Sequence, residues 1–183
     1  MRRTAAFALM ISLALLSACG GGAERAAAED FRQRLSASGQ ISFTAEERAE
    51  YPDKTEEYTL RYSESGGEAC IEVVKPDIIA GISARVKDGA GVLSYDGAEL
   101  DTGPLPGGLT PISALPALTE AMKSGHIDSA WREGEYTVAQ ITPDDGETVT
   151  VWFDGGMAPR RAEICSGETV TVFCGIENFT CSG

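Results

Sequence analysis

His126 is the only histidine in this 183-residue chain. Any serine, cysteine or metal chemistry that needs an imidazole therefore rests on one residue. It follows Gly125 at the end of an apolar-periodic stretch, where an imidazole complements a helix dipole more readily than it activates a nucleophile. Paired carboxylates are plentiful: Glu46-Glu47, Glu56-Glu57 and Asp144-Asp145. Glycosidic chemistry needs two carboxyls facing each other across a cleft. Neighbours on a strand point to opposite faces, and the aspartate pair sits in a Pro/Gly turn, so all of these acids are expected in solvent. Asp144-Asp145-Gly146-Glu147 lacks the ligand spacing of a calcium loop. There is no G-x-S-x-G and no glycine-rich phosphate loop opening a helix. The chain is expected to be no enzyme and to hold neither metal nor cofactor.

Chemistry is specified at Cys19. Arg2 and Arg3 give a positive start, Ala5 to Leu16 an apolar run, and Leu16-Ser17-Ala18-Cys19 ends it. About a dozen apolar residues cannot cross a hydrocarbon core of ~30 Å, so the run reads as a signal peptide. A small residue before the cysteine, with leucine three positions ahead of it, resembles the lipobox of bacterial lipoproteins. The resemblance implies diacylglycerol on the Cys19 thiol and cleavage after Ala18, and usually acylation of the new amino terminus. Residues 1–18 are then a lipoprotein signal peptide, 19–28 a lipidated tether and 29–183 a single domain.

Four further cysteines, Cys70, Cys165, Cys174 and Cys181, permit two disulfides in three connectivities, or stand as free buried thiols. None forms a C-x-x-C pair. The net charge is −13, and loss of two arginines with the leader makes the chain more acidic still. Such a surface repels nucleic acid and anionic headgroups. Membrane association must come from covalent lipid, at the extracytoplasmic face.

These groups sit on a sequence that is mostly strand. Phe31 and Leu35 share a face of a short helix within Glu29–Leu35. From there the period is two: Ile41 and Phe43, then Leu60 and Tyr62 with Tyr58, then Ile71 and Val73. Ile78 to Val86 resumes the pattern after Lys75-Pro76-Asp77. Asp88-Gly89 and Asp96-Gly97 are strong hairpin signals. Thr110 with Pro111 opens a second helix, Gly125 closes it, and Ile112, Leu115, Leu118 and Met122 form its apolar stripe. Strands return after it, with Val149, Val151 and Phe153 on one face. About ten antiparallel strands in meander order favour a curved sheet or half-open barrel over a Greek key.

Trp152-Phe153-Asp154, a glycine gap, Met157-Ala158-Pro159-Arg160-Arg161-Ala162-Glu163, and a hairpin ending in Glu177-Asn178-Phe179 resemble the carboxyl-terminal half of LolA-like proteins. Lys87-Asp88-Gly89 through Leu93-Ser94-Tyr95-Asp96-Gly97 resembles an earlier hairpin of the same LolA/LolB-like carrier fold, in its lipid-anchored lipoprotein branch. The resemblance spans most of residues 37 to 179. It implies a curved antiparallel sheet or half-open β-barrel covered by two helices, whose concave face can hold lipid or lipoprotein acyl chains. Alternation assigns Leu60, Tyr62, Ile71, Val73, Val149, Val151, Phe153, Val170 and Val172 to that face. Anchoring at Cys19 departs from a diffusing carrier. It leaves two expectations, an anchored binder of a hydrophobic ligand or a ligand-free module for another cell-envelope protein.

Overall fold

A computed structural model describes residues 22–51, 53–104, 110–143, 147–166 and 169–183. Helix α1 (Gly22–Ala37) is followed by β1 (Gln40–Glu50), β2 (Thr55–Ser65), β3 (Glu68–Lys75), a 3-10 turn (Asp77–Ile79), β4 (Ser83–Lys87), β5 (Ala90–Tyr95) and β6 (Ala98–Pro104). Helix α2 (Pro111–Ser124) then leads into β7 (His126–Glu133), β8 (Tyr136–Thr142), β9 (Thr148–Phe153), β10 (Pro159–Ser166) and β11 (Thr169–Ser182). All eleven strands form one antiparallel sheet in the order β6-β5-β4-β3-β2-β1-β11-β10-β9-β8-β7.

The sheet is two meanders joined where β1 pairs with β11, and α2 links the two outermost strands. Both Asp-Gly pairs make their turns, with φ of 50° and 75° at Asp88-Gly89 and 49° and 79° at Asp96-Gly97, the left-handed pair that a tight hairpin needs. The stretch expected to be strand from Ile78 begins instead as the 3-10 turn; Gly81, at φ 86°, separates it from β4. Asn178, at φ 53°, bulges β11 and shifts its register on β1.

Helix α1 starts well ahead of Glu29 and takes up most of the stretch assigned to a tether. The alanines of Ala-Glu-Arg-Ala-Ala-Ala are strong helix formers, and Ala28, Phe31 and Leu35 bury against β7, β8 and α2. Helix α2 has the expected start: the Thr110 hydroxyl accepts from Ser113 N–H at 3.2 Å, and Ser113 Oγ accepts from Thr110 N–H at 2.8 Å. Pro116 lies inside the helix without ending it.

Gly125 closes α2 with φ −61°, so space rather than backbone freedom demands glycine. A Cβ there would stand 2.5 Å from Ile141 Cγ2 and 2.7 Å from the Ala121 carbonyl. Gly125→Ala is expected to destabilise the fold by about 1–3 kcal/mol through overpacking, measurable by denaturant unfolding. A change below about 0.5 kcal/mol would show that the contact relaxes freely.

The four cysteines described, Cys70, Cys165, Cys174 and Cys181, are unpaired thiols, which corrects the disulfide expectation. Cys70 on β3 is separated from β11 by β2 and β1, roughly 14 Å at ~4.8 Å per strand, against a bridging limit of ~7 Å between Cα atoms. Cys165 pairs with Val170, whereas Cys174 pairs with Ala162 and Cys181 lies further along the same strand. The strand register holds these thiols apart.

Candidate functional site: the concave face

The inner face of the sheet is largely apolar, with Glu47 of β1 the buried acid on it, and its two halves differ. Under β8 to β11, α1 and α2 fill the concavity. Phe31 of α1 packs its ring 4.8 Å from Phe153 and 6.0 Å from Phe179. Val149, Val151, Phe153 and Val172 are buried there in a continuous core. They are filled core rather than cavity wall: Phe31 of α1 packs on Phe153, and α2 packs over β8 and β10. Tyr62 is likewise packed, stacked on Phe43 at 4.7 Å with its hydroxyl donating to Glu64 at 2.9 Å. Glu64 also pairs with Lys123 of α2, which pins that helix to β2.

The other half is not filled. Between β2–β5 and the start of α2 lies a cavity of about 280 Å³. Leu60 and Tyr58 of β2, Ile71 and Val73 of β3, Ala84 of β4 and Leu93 of β5 form its floor, while Ile79, Ile82, Thr110 and Ile112 form its rim. Of the nine positions assigned by alternation, Leu60, Ile71 and Val73 line this cavity. The Val170 side chain, Ala18 and Cys19 lie outside the described residues. Sequence reasoning missed the rim residues, which come from the 3-10 segment and the helix cap rather than from strands.

The apolar surface extends beyond the cavity. Leu93 faces Leu100 across the β5–β6 ladder, and Leu100 is 63% exposed, as are Tyr95 (56%) and Ile78 (89%). The larger depressions of about 500 and 400 Å³ are wide grooves bordered by Glu46, Arg48, Glu57 and Lys75, and by Arg160, Arg161 and Glu133. Charges of both signs lie along each, and Arg161 and Arg48 already cover the rings of Trp152 and Phe173 at 4.6 and 4.2 Å. The cavity above β2–β5 is the one built to exclude water.

His126 is exposed at the start of β7, with Nε2 3.9 Å from Asp128 Oδ1. Among the described residues no cluster of three His, Cys, Asp or Glu side chains could hold a metal ion. The Asp144-Asp145 pair lies outside the described residues.

One acid departs from the sequence expectation. Glu46 is exposed, but Glu47 is buried on the concave face, in the alternating series Ile41, Phe43, Ala45, Glu47 and Ala49. Its two direct ladder neighbours are Tyr58 and Cys174. Neither carboxyl oxygen has a hydrogen-bond partner among the described residues. Burial pushes the carboxyl up to about 8, so the group is neutral at pH 7. The folded value lies above the unfolded one of ~4.3, so the protein loses stability as pH rises from about 4 to about 8. Glu47→Gln is expected to remove this fall, which amounts to a few kcal/mol. Urea unfolding near pH 5 and near pH 8 checks it; an identical pH slope in the variant would refute it.

The open antiparallel sheet with two helices on one side is an architecture that solved structures share over most of its length. No protein-family model and no curated protein matches the sequence. Among solved structures, an uncharacterised conserved protein from Thermus thermophilus superposes with a TM-score of 0.51 at 9% identity, covering 85% of this chain and 88% of that one. A DUF1329 family protein from Desulfovibrio piger gives 0.51 at 9% identity over 87% and 92%. A LolA superfamily protein from Nitrosomonas europaea gives 0.47 at 9% over 85% and 94%.

Proposed function

We propose that this protein is a lipoprotein anchored through Cys19 at the extracytoplasmic face of a bacterial membrane, where it binds a hydrophobic ligand without catalysis. The observation that carries the reading is the apolar cavity of about 280 Å³ above β2–β5. It is roughly twice the ~150 Å³ of an engineered apolar cavity that binds one benzene, so it suits a single alkyl or acyl tail rather than two long chains. Fixed to the membrane by its amino terminus, the domain receives or holds its ligand at the surface instead of carrying it away.

Ala84 has its Cβ on the cavity floor and is 3% exposed. Ala84→Trp puts an indole into the ligand's space. It is expected to abolish binding of a fluorescent alkyl probe, with a loss of at least about tenfold in affinity, about 1.4 kcal/mol, while the circular dichroism spectrum is kept. Lipid extraction of the natively purified protein should return a co-purifying amphiphile from the wild type and none from the variant. Unchanged probe affinity in a folded Ala84→Trp protein would place binding elsewhere.

A further inference from the structure

Tyr58 lines both the apolar cavity and the adjoining groove of about 500 Å³, which Glu47 lines together with Arg48 and Lys75, and the turn from β1 to β2 beside it carries groups that suit one kind of headgroup. The Tyr58 ring is part of the apolar wall, and its hydroxyl donates to Glu56 at 2.6 Å. Glu56 also accepts from Lys54 Nζ at 2.7 Å, and that ammonium lies 5.1 Å from the centre of the Tyr51 ring. The chain therefore seats one of its own ammonium groups against a carboxylate and a tyrosine ring, the combination that recognises cations by charge and by ring face. Glu47 is the member left without a partner. It is 1% exposed, stands directly across the ladder from Tyr58, and has both oxygens unsatisfied among the described residues.

Electrostatics place these groups in one neighbourhood. The Tyr51 and Tyr58 phenols are both held up by the charges of Glu56 and Glu47, after their own burial. The titratable and charged groups about Glu47 are Tyr58 across the β2 ladder, Tyr51 from the connecting turn, Arg48 and Lys75 along the same groove, and Cys174 from β11, whose thiol is pushed up chiefly by burial and then by Glu47.

We infer that the cavity takes a cationic amphiphile, with its alkyl tail above β2–β5 and its ammonium headgroup held by Tyr51, Tyr58 and Glu56, Glu47 supplying the counter-charge. This rests on the reading that the cavity holds a hydrophobic tail. An ammonium beside Glu47 favours the carboxylate, so binding transfers one proton from Glu47 to solvent. The positive charge brought in and the negative charge formed then balance inside the protein. Lys54, on an exposed turn, moves out into water as the headgroup enters. The acidic surface raises the local concentration of such cations and lowers that of anionic amphiphiles.

The test uses the chain with Cys19→Ala, purified without detergent, and two probes sharing a decyl tail: decyltrimethylammonium, whose charge is permanent, and decyl maltoside, which is neutral. Each is titrated calorimetrically below its micelle concentration, at about pH 6.5 and about pH 8.5. The ammonium probe is expected to bind at least about tenfold tighter than the maltoside near pH 8.5, with an advantage that shrinks toward pH 6.5. Titrations in buffers of different ionisation enthalpy should show about one proton released per bound ammonium near pH 6.5. In Glu47→Gln the proton release should vanish and most of the advantage with it, while maltoside binding is kept. Lys54→Met, which removes the internal competitor, should tighten ammonium binding. Equal affinity for the two probes overturns the inference and leaves the tail-binding reading standing. Failure of both probes to bind overturns both readings. An ammonium preference that survives Glu47→Gln unchanged overturns the role of Glu47.

Discussion

Replacing Cys19 with alanine is expected to move the protein from the membrane fraction to the aqueous fraction almost completely. With a net charge of −13, the chain gains nothing from anionic headgroups. No helix among the described residues is long and apolar enough to cross a bilayer. On the proposed reading the acyl chains supply the attachment, at roughly 0.8 kcal/mol per buried methylene, and a stable anchor needs more than one chain. The check is fractionation together with intact mass: the wild type should carry diacylglycerol and begin at Cys19, whereas the variant should lack the lipid mass. Retention at the membrane of an unlipidated variant whose mass shows the leader removed would mean that another surface holds it there. The exposed side chains of Ile78, Leu100 and Tyr95 would be the first to replace with serine.

Phe31→Ala is expected to cost about 3–5 kcal/mol of folding stability, the range for removing a buried aromatic ring. Phe31 is 4% exposed and touches both Phe153 and Phe179, so its loss opens the filled half of the concave face. That stability is a large share of what a domain of this size possesses. Denaturant unfolding measures the effect. A loss below about 1 kcal/mol would show that α1 is a loose cover rather than part of the core.

Much of the fold is legible because its signals are local. Asp88-Gly89 and Asp96-Gly97 can hardly form anything but tight turns, and Thr110-Pro111 with Gly125 brackets α2 by capping chemistry alone. Alternation also identified the inner face correctly. It could not tell which part of that face is covered, since Ile71 and Val151 alternate alike and yet only Ile71 borders the cavity. That is decided by where α1 docks, and the Ala-rich start of α1 reads equally well as a linker until Ala28, Phe31 and Leu35 find their partners. Glu47 was hidden by its neighbours: in a segment reading Ala45-Glu46-Glu47-Arg48-Ala49, acids suggest solvent. The signal that could have found it is its place midway between Ala45 and Ala49, two small residues on the same face. The cysteines carried no such signal, because strand register and not spacing along the chain sets their distances.

The seam between the two meanders also sets a timetable. Gln40 is bonded opposite Ser182 and Ala49 opposite Val172, so β1 waits for a partner made more than a hundred residues later. On the proposed reading the chain crosses the membrane from its amino-terminal end, so α1 and β1–β6 would emerge while β11 is still behind. Until the last strand arrives, one edge of β1 stays open, with Phe43, Ala45 and Glu47 among its side chains, and the two half-sheets have no common core. Completion of the fold then waits on the last strand to be delivered.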